Sequence, residues 1–271
     1  MSKQSFSTDQ VRVSFDEEFV ATVELSNGDY NFFDMGMLMN LAETFESLDE
    51  DPRCRAILLC SAGKAFCAGA NFQGGQQGAR PAGLQAAGQE EGVGGHLYDQ
   101  AVRLFATKTP VVAAVHGAAV GGGLGLALVA DLRVGCPQTR MAANFTQLGI
   151  HPGFGLSFTL PRVIGQQHAY DLFYTGRRVN GDEAFSMGLL DQLVEQADVR
   201  SVALRKAADI AGAAPLAVIS VRETLRGEFA EEVRRATERE LHEQNWLLRT
   251  EDAKEGVRAV AERRAGIFSG M

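Results

Sequence analysis

Near the N-terminus two short runs alternate apolar and polar residues: VRVSF from Val11 and FVATVEL from Phe19, with Asp16-Glu17-Glu18 between them. A period of two predicts two strands joined by a turn. MGMLMNLAETFESL, from Met35, changes to helical spacing and ends in the acidic turn DEDP. CRAILLC from Cys54 and PVVAAVHG from Pro110 are continuous apolar runs bounded by turn residues, the pattern of buried parallel strands. LRVGC, RMAANF and LLDQLVE read as shorter strands, and helical patterns fall at Leu97–Ala106, Gly122–Val129 and Gln166–Tyr174. Strands alternating with helices predict an α/β fold with functional loops at the carboxyl ends of strands. From Val199 the pattern is purely helical. The expected organisation is an α/β core over 1–198 and a helical C-terminal region over 199–271. Between them in composition stands QGGQQGARPAGLQAAGQEEGVGG, Gln73–Gly95, too poor in packable side chains for an element. It reads as a flexible loop over 73–95, placed where a lid would order over a ligand.

Composition narrows the function. A chain of 271 residues that is 45% apolar builds a large core. A net charge of −8 argues against nucleic-acid binding, and the late arginines are interleaved with acids as on a solvated helix face. Cys54, Cys60, Cys67 and Cys136 lack metal-ligand spacing and fall in or beside apolar runs, as reduced buried thiols do. His242-Glu243 is no zinc motif, because Trp246 stands where the second histidine of H-E-x-x-H belongs. No metal site is expected. The N-terminal MSKQSFSTDQ carries no apolar signal core and no run is long enough to span a membrane, so a cytoplasmic location without membrane attachment is expected.

The chemistry gathers at glycines. VHGAAVGGGLGLALVADLRVG, Val115–Gly135, places Gly121-Gly122-Gly123 between a strand and an apolar helix. Backbone N–H groups at a helix start have no intrahelical partner, and without Cβ atoms a ligand oxygen approaches them closely. The helix dipole adds positive charge there. Neither G-x-G-x-x-G nor G-x-x-x-x-G-K-[ST] fits these glycines. A second strand, ILLC, is followed by Ala68-Gly69-Ala70, so two small-residue turns can aim two donors at one oxygen. Such a pair is an oxyanion hole.

Five segments in register, GKAFCAGAN, GAAVGGGLGLALVADLRVG, LGIHPGFGLSFTLPRVIG, TGRRVNGDEAFSMGLLDQLVE and TEDAKEGVRAVAERRAGIF, resemble the crotonase superfamily, the enoyl-CoA hydratase/isomerase group. The resemblance runs from about Val11 to Phe268. It implies a spiral of β-β-α units, a helical C-terminal region that builds trimers or dimers of trimers, and acyl-CoA or acyl-carrier thioester substrates. It implies no cofactor beyond the coenzyme A carried by the substrate. Carried over by position, the backbone N–H groups of Ala70 and Gly122 form the oxyanion hole, and Ala68 meets the adenine.

The same resemblance places two catalytic glutamates at Gly125 and Phe145 and an alternative aspartate at Gly153, so this chain lacks the usual acid–base set. His151 and His96 are the remaining candidates for proton transfer. Asn144, Gln147 and Tyr98 are candidates for contact with substrate, Gly125 for making room for a bulky acyl group, and Phe145 for an apolar wall. His116 reads as a core histidine, Asp131 as structural, and His242 as a weaker candidate on a C-terminal helix. The expected activity is thioester chemistry through an enolate, without standard two-glutamate hydration. The alternatives are decarboxylation of a β-carboxyacyl thioester and a catalytically silent thioester-binding relative.

Overall fold

The computed structural model describes residues 8–16, 18–70 and 96–271; the expected 73–95 loop lies outside them. The strands of the described residues are β1 (Val11–Phe15), β2 (Val20–Leu25), β3 (Ala56–Ser61), β4 (Val111–Val115), β5 (Ala118–Val120), β6 (Leu132–Gly135), β7 (Arg140–Ala142), β8 (Arg178–Asn180) and β9 (Gln192–Leu193). The helices are α1 (Met35–Asp49), α2 (Leu97–Phe105), α3 (Gly122–Ala127), α4 (Leu156–Thr175), α5 (Gly181–Ser186), α6 (Val199–Ala211), α7 (Pro215–Arg226), α8 (Phe229–Leu247) and α9 (Glu251–Glu262).

Two sheets run side by side. The larger has the order β1-β2-β3-β4-β6-β9, with only β1 antiparallel, and the smaller is β5-β7-β8. β4 pairs in parallel with β6 while β5, which follows β4 after a two-residue corner, pairs in parallel with β7. The turns β4-β5-α3 and β6-β7-α4 therefore each lay one strand on each sheet and then a helix, which is the expected spiral of β-β-α units. A parallel bridge between Cys67 and Ala119 extends the small sheet to the preceding turn of the spiral. Strands β3 and β4 are wholly buried, as their continuous apolar runs require.

Most expected elements are present; α5, β5 and β8 are too short for periodicity to reveal them. α4 starts ten residues before the expected helix, at Leu156, and bends at Gly165, whose φ of 77° and ψ of 161° are not helical. The helical run does begin at Val199, and α6, its first helix, packs against the core. Val199, Ala203, Ala207 and Ala211 form a stripe of small residues buried against Val20, Leu58, Val112 and Val134. α6 thus covers one face of the main sheet, while α8 and α9 pack beyond the other core, where Val233 and Ala253 are buried. Among the described residues no helix is long and apolar enough to cross a membrane.

Candidate active site

The Cys67–Ala119 bridge sets Ala70 and Gly122 each three residues past a paired position, so they occupy equivalent places in successive turns. Each is preceded by a glycine in a left-handed conformation, Gly69 at φ 83° and Gly121 at φ 56°. A side chain there would be strained, and the reversal it permits turns the following N–H out of the strand direction. A Cβ on Gly69 would lie 2.7 Å from the Val120 carbonyl oxygen and 3.5 Å from the Gly122 nitrogen. The two turns are therefore in contact. Gly123 lets α3 approach further, since a Cβ on it would overlap the Cys67 carbonyl. Among the described residues neither the Ala70 N–H nor the Gly122 N–H has a hydrogen-bond partner. Two free donors from adjacent turns, one at a helix start, can bind a single carbonyl oxygen and oppose its developing negative charge.

The surroundings of this pair are aromatic. A Cβ on Gly122 would lie 2.5 Å from the Phe33 ring and 3.5 Å from the Phe154 ring, and these rings meet with centroids 5.6 Å apart. The Phe145 ring and the Asn144 amide oxygen each come within 3.8 Å of the side-chain position at Gly121. Phe33, Phe145 and Phe154 are all buried. Gly125 has a different role from the one expected. A Cβ there would lie 2.7–2.9 Å from the Cβ and ring of Phe154, so the glycine leaves no empty room for an acyl group; Phe154 fills it.

Phe154 itself has a φ of 63°, a left-handed conformation that costs a bulky residue about 1–3 kcal/mol. The turn that carries it is held by Glu240 from α8. Glu240 is fully buried; its carboxylate accepts the Gly155 N–H at 2.7 Å, the Ser157 N–H at 2.8 Å and the Ser157 hydroxyl at 2.6 Å. Burial pushes its carboxyl above the usual range, and the bonds from Ser157 and Gly155 only partly offset this. Beside it the Tyr98 hydroxyl donates to Gln244 Oε1 at 2.7 Å, and Gln244 donates to the His151 carbonyl at 2.8 Å. Burial pushes the Tyr98 phenol far up, so it stays neutral. Tyr98 was expected to touch substrate; its hydroxyl is instead committed to the fold. Sequence reasoning missed Phe33, Phe154, Glu240 and Gln244. Only Phe154 left a signal, a large residue between two glycines in PGFG.

His96 is the N-cap of α2. Its Nδ1 accepts the Tyr98 N–H at 3.1 Å, and its own N–H is held by Asp99 at 2.6 Å. With Nδ1 accepting, the neutral ring carries its proton on Nε2, which is buried without a partner among the described residues. Burial lowers its pKa, with Asp99 opposing. That tautomer makes the His96 Nε2–H a donor. His151 Nδ1 lies 2.9 Å from the Pro152 carbonyl oxygen. It borders a cavity of about 700 Å³ with Tyr170, Tyr174, Trp246 and Phe268, a cavity that neither Ala70 nor Gly122 lines. Gln147 is exposed and donates to the Thr175 carbonyl at 3.0 Å, with its chain packed on Gly176, so it is spent at the end of α4. Ala68 is half-buried, its N–H held by the Tyr30 carbonyl. Of the expected set, Ala70, Gly122, Gly125, Asn144 and Phe145 come together; Gln147 and His151 lie elsewhere.

The sequence profile described as enoyl-CoA hydratase/isomerase matches residues 16–270. The chain belongs to the enoyl-CoA hydratase/isomerase family. It is similar to the carnitinyl-CoA dehydratase of Escherichia coli (strain K12), 30% identical over 256 residues, covering 93% of this chain and 95% of that protein. Among solved structures it resembles the carnitinyl-CoA hydratase of Mycobacterium avium, with a TM-score of 0.83 and 26% identity over 98% of this chain and all of the other. It also resembles an enoyl-CoA hydratase/isomerase from Pseudoalteromonas atlantica T6c, with a TM-score of 0.81 and 28% identity over 96% of this chain and all of that one. Members of this family act on acyl-CoA thioesters, and this chain is an enzyme of the family.

Proposed function

We propose that this enzyme binds an acyl-CoA or acyl-carrier thioester with its carbonyl oxygen between the Ala70 and Gly122 N–H groups and reacts through the enolate they stabilise. The observation that carries this reading is the equivalence of the two turns. Each has a left-handed glycine immediately before the donor, and both donors are free among the described residues. Relatives named as dehydratase and hydratase of a CoA thioester support the substrate class. Coenzyme A enters only as part of the substrate, and no separate cofactor takes part.

Hydration by paired glutamates is not the favoured reaction. The rings of Phe33, Phe145 and Phe154 border the triple glycine beside the Asn144 amide, no carboxylate among them, and Gly125 is packed by a ring. Positioned acid–base groups contribute about 10²–10⁴-fold, so crotonyl-CoA should be hydrated slowly. The apolar walls favour a second reading, decarboxylation of a β-carboxyacyl thioester, one whose carboxyl carbon is itself the β-carbon and is bonded to the α-carbon. A carboxylate beside phenylalanine rings loses hydration, and breaking its C–C bond releases neutral CO₂. The electron pair moves onto the thioester oxygen as an enolate, which water then protonates at the α-carbon. No protein base is required for the first step. A panel of enoyl-, hydroxyacyl- and β-carboxyacyl-CoAs incubated with the enzyme and followed by mass spectrometry tests both readings. Rapid hydration of crotonyl-CoA would contradict the preference against glutamate-type chemistry. Failure to bind any acyl-CoA would contradict the thioester reading itself.

A further inference from the structure

We infer that Phe154 is the specificity-determining residue of this site and restricts it to short, unbranched acyl groups. The inference rests on the reading of Ala70 and Gly122 as the thioester's donors. A carbonyl oxygen bound to the Gly122 N–H brings its α- and β-carbons beside the side-chain position of that residue. There the Phe33 ring lies within 2.5 Å and the Phe154 ring within 3.5 Å of a Cβ. Phe154 also fills the space over Gly125, at 2.7–2.9 Å from a Cβ there.

The ring has no easy way to withdraw. Phe105 packs against it at 6.5 Å and Phe33 at 5.6 Å between centroids, and Phe154 is 1% exposed. Its backbone is fixed by the neighbouring bonds from Gly155 and Ser157 to Glu240. A wall made of a packed ring on a pinned turn does not yield to an extra methylene, and pockets of this kind discriminate roughly 10–200-fold per methylene. Gly125 and Phe154 then act as one device: the glycine admits the ring, and the ring shortens the chamber.

The test is calorimetric binding of acetyl-, isovaleryl- and octanoyl-CoA to the wild-type chain and to Phe154→Ala. The wild type is expected to favour acetyl-CoA. Phe154→Ala is expected to raise the octanoyl-to-acetyl affinity ratio by roughly tenfold or more. An unchanged ratio in a variant that still binds acetyl-CoA overturns the inference and leaves the thioester reading standing. No binding of any of the three by the wild type overturns that reading and the inference with it. A second comparison holds if Phe154→Ala folds poorly. Gly125→Ala should lower the melting temperature alone and much less so alongside Phe154→Leu, because the added methyl meets the ring. Equal lowering in both backgrounds contradicts the pairing of Gly125 with Phe154, and the inference falls with it.

Discussion

At the residue scale, the site depends on side chains that accept backbone hydrogen bonds. Glu240 satisfies three donors at the turn carrying Phe154, from a helix some 85 residues away in sequence. Nothing local in EREL marks it as buried, which is why sequence reading passed over it. Glu240→Gln places an amide N–H against a backbone donor, and should remove about 1–3 kcal/mol of stability by urea denaturation. The pH dependence has a definite sign. Because the folded Glu240 pKa is raised, its contribution is full below the ordinary glutamate value and is lost as pH rises through the folded one. The variant should lack that component of the stability–pH curve. His96 gives a second check. Its pKa is lowered, so its cap is worth most above the ordinary histidine value and fades as pH falls through the folded one. An NMR titration should find the neutral Nε2–H tautomer and an apparent pKa below the ordinary value; an Nδ1–H tautomer would contradict the capping geometry.

At the element scale, the strands of the main sheet and α3 were legible because strand runs and a glycine-led helix have short-range signatures, whereas the spiral came from the family resemblance, since β5 and β8 are too short to show a period. How the helices attach was not legible. α7 has no buried residue, yet Arg222 and Arg226 reach from it to Asp131 at 2.9 and 2.7 Å, and Arg226 also bonds the Val129 carbonyl. Burial would raise the Asp131 carboxyl, but Arg226, Arg222 and the Val111 N–H outweigh it and hold it below the usual range. Asp131 read as structural from sequence, and these two arginines give that reading its content. Asp131→Ala leaves two largely buried guanidinium groups without their carboxylate, which should cost about 3–5 kcal/mol in denaturant unfolding. In the wild type this stabilisation is present above the ordinary aspartate value and is lost as pH falls through the lower folded one. A variant within 1 kcal/mol of wild type would show that α7 is not held this way. α6 carries a parallel lesson. Its stripe of Val199, Ala203, Ala207 and Ala211 covers the main sheet, so the division at residue 199 separates composition and not packing.

At the scale of the whole molecule, apolar side chains stand exposed on the C-terminal helices and tail. Leu216 and Leu225 on α7 are 81% and 82% exposed, and Trp246, Val260, Ile267 and Phe268 join them. The single chain does not cover Trp246 or Val260. Exposed apolar surface of this kind marks an association surface, and the trimer or dimer of trimers that the family resemblance implies is the assembly expected to cover it. Light scattering at micromolar concentration should report three or six copies; a monomer alone would contradict this. The central claim, that Ala70 and Gly122 polarise a thioester carbonyl, needs a measurement that does not disturb the glycines. Gly122→Pro is unsuitable, because its ring would strike Phe33 as well as remove the donor. Isotope-edited infrared spectroscopy of acetyl-CoA labelled with ¹³C at the thioester carbonyl reads the bond directly. The account predicts that binding moves the carbonyl stretch to lower frequency than in free acetyl-CoA, as two hydrogen bonds weaken the C=O. A bound carbonyl whose stretch is unshifted, or shifted upward, would contradict it.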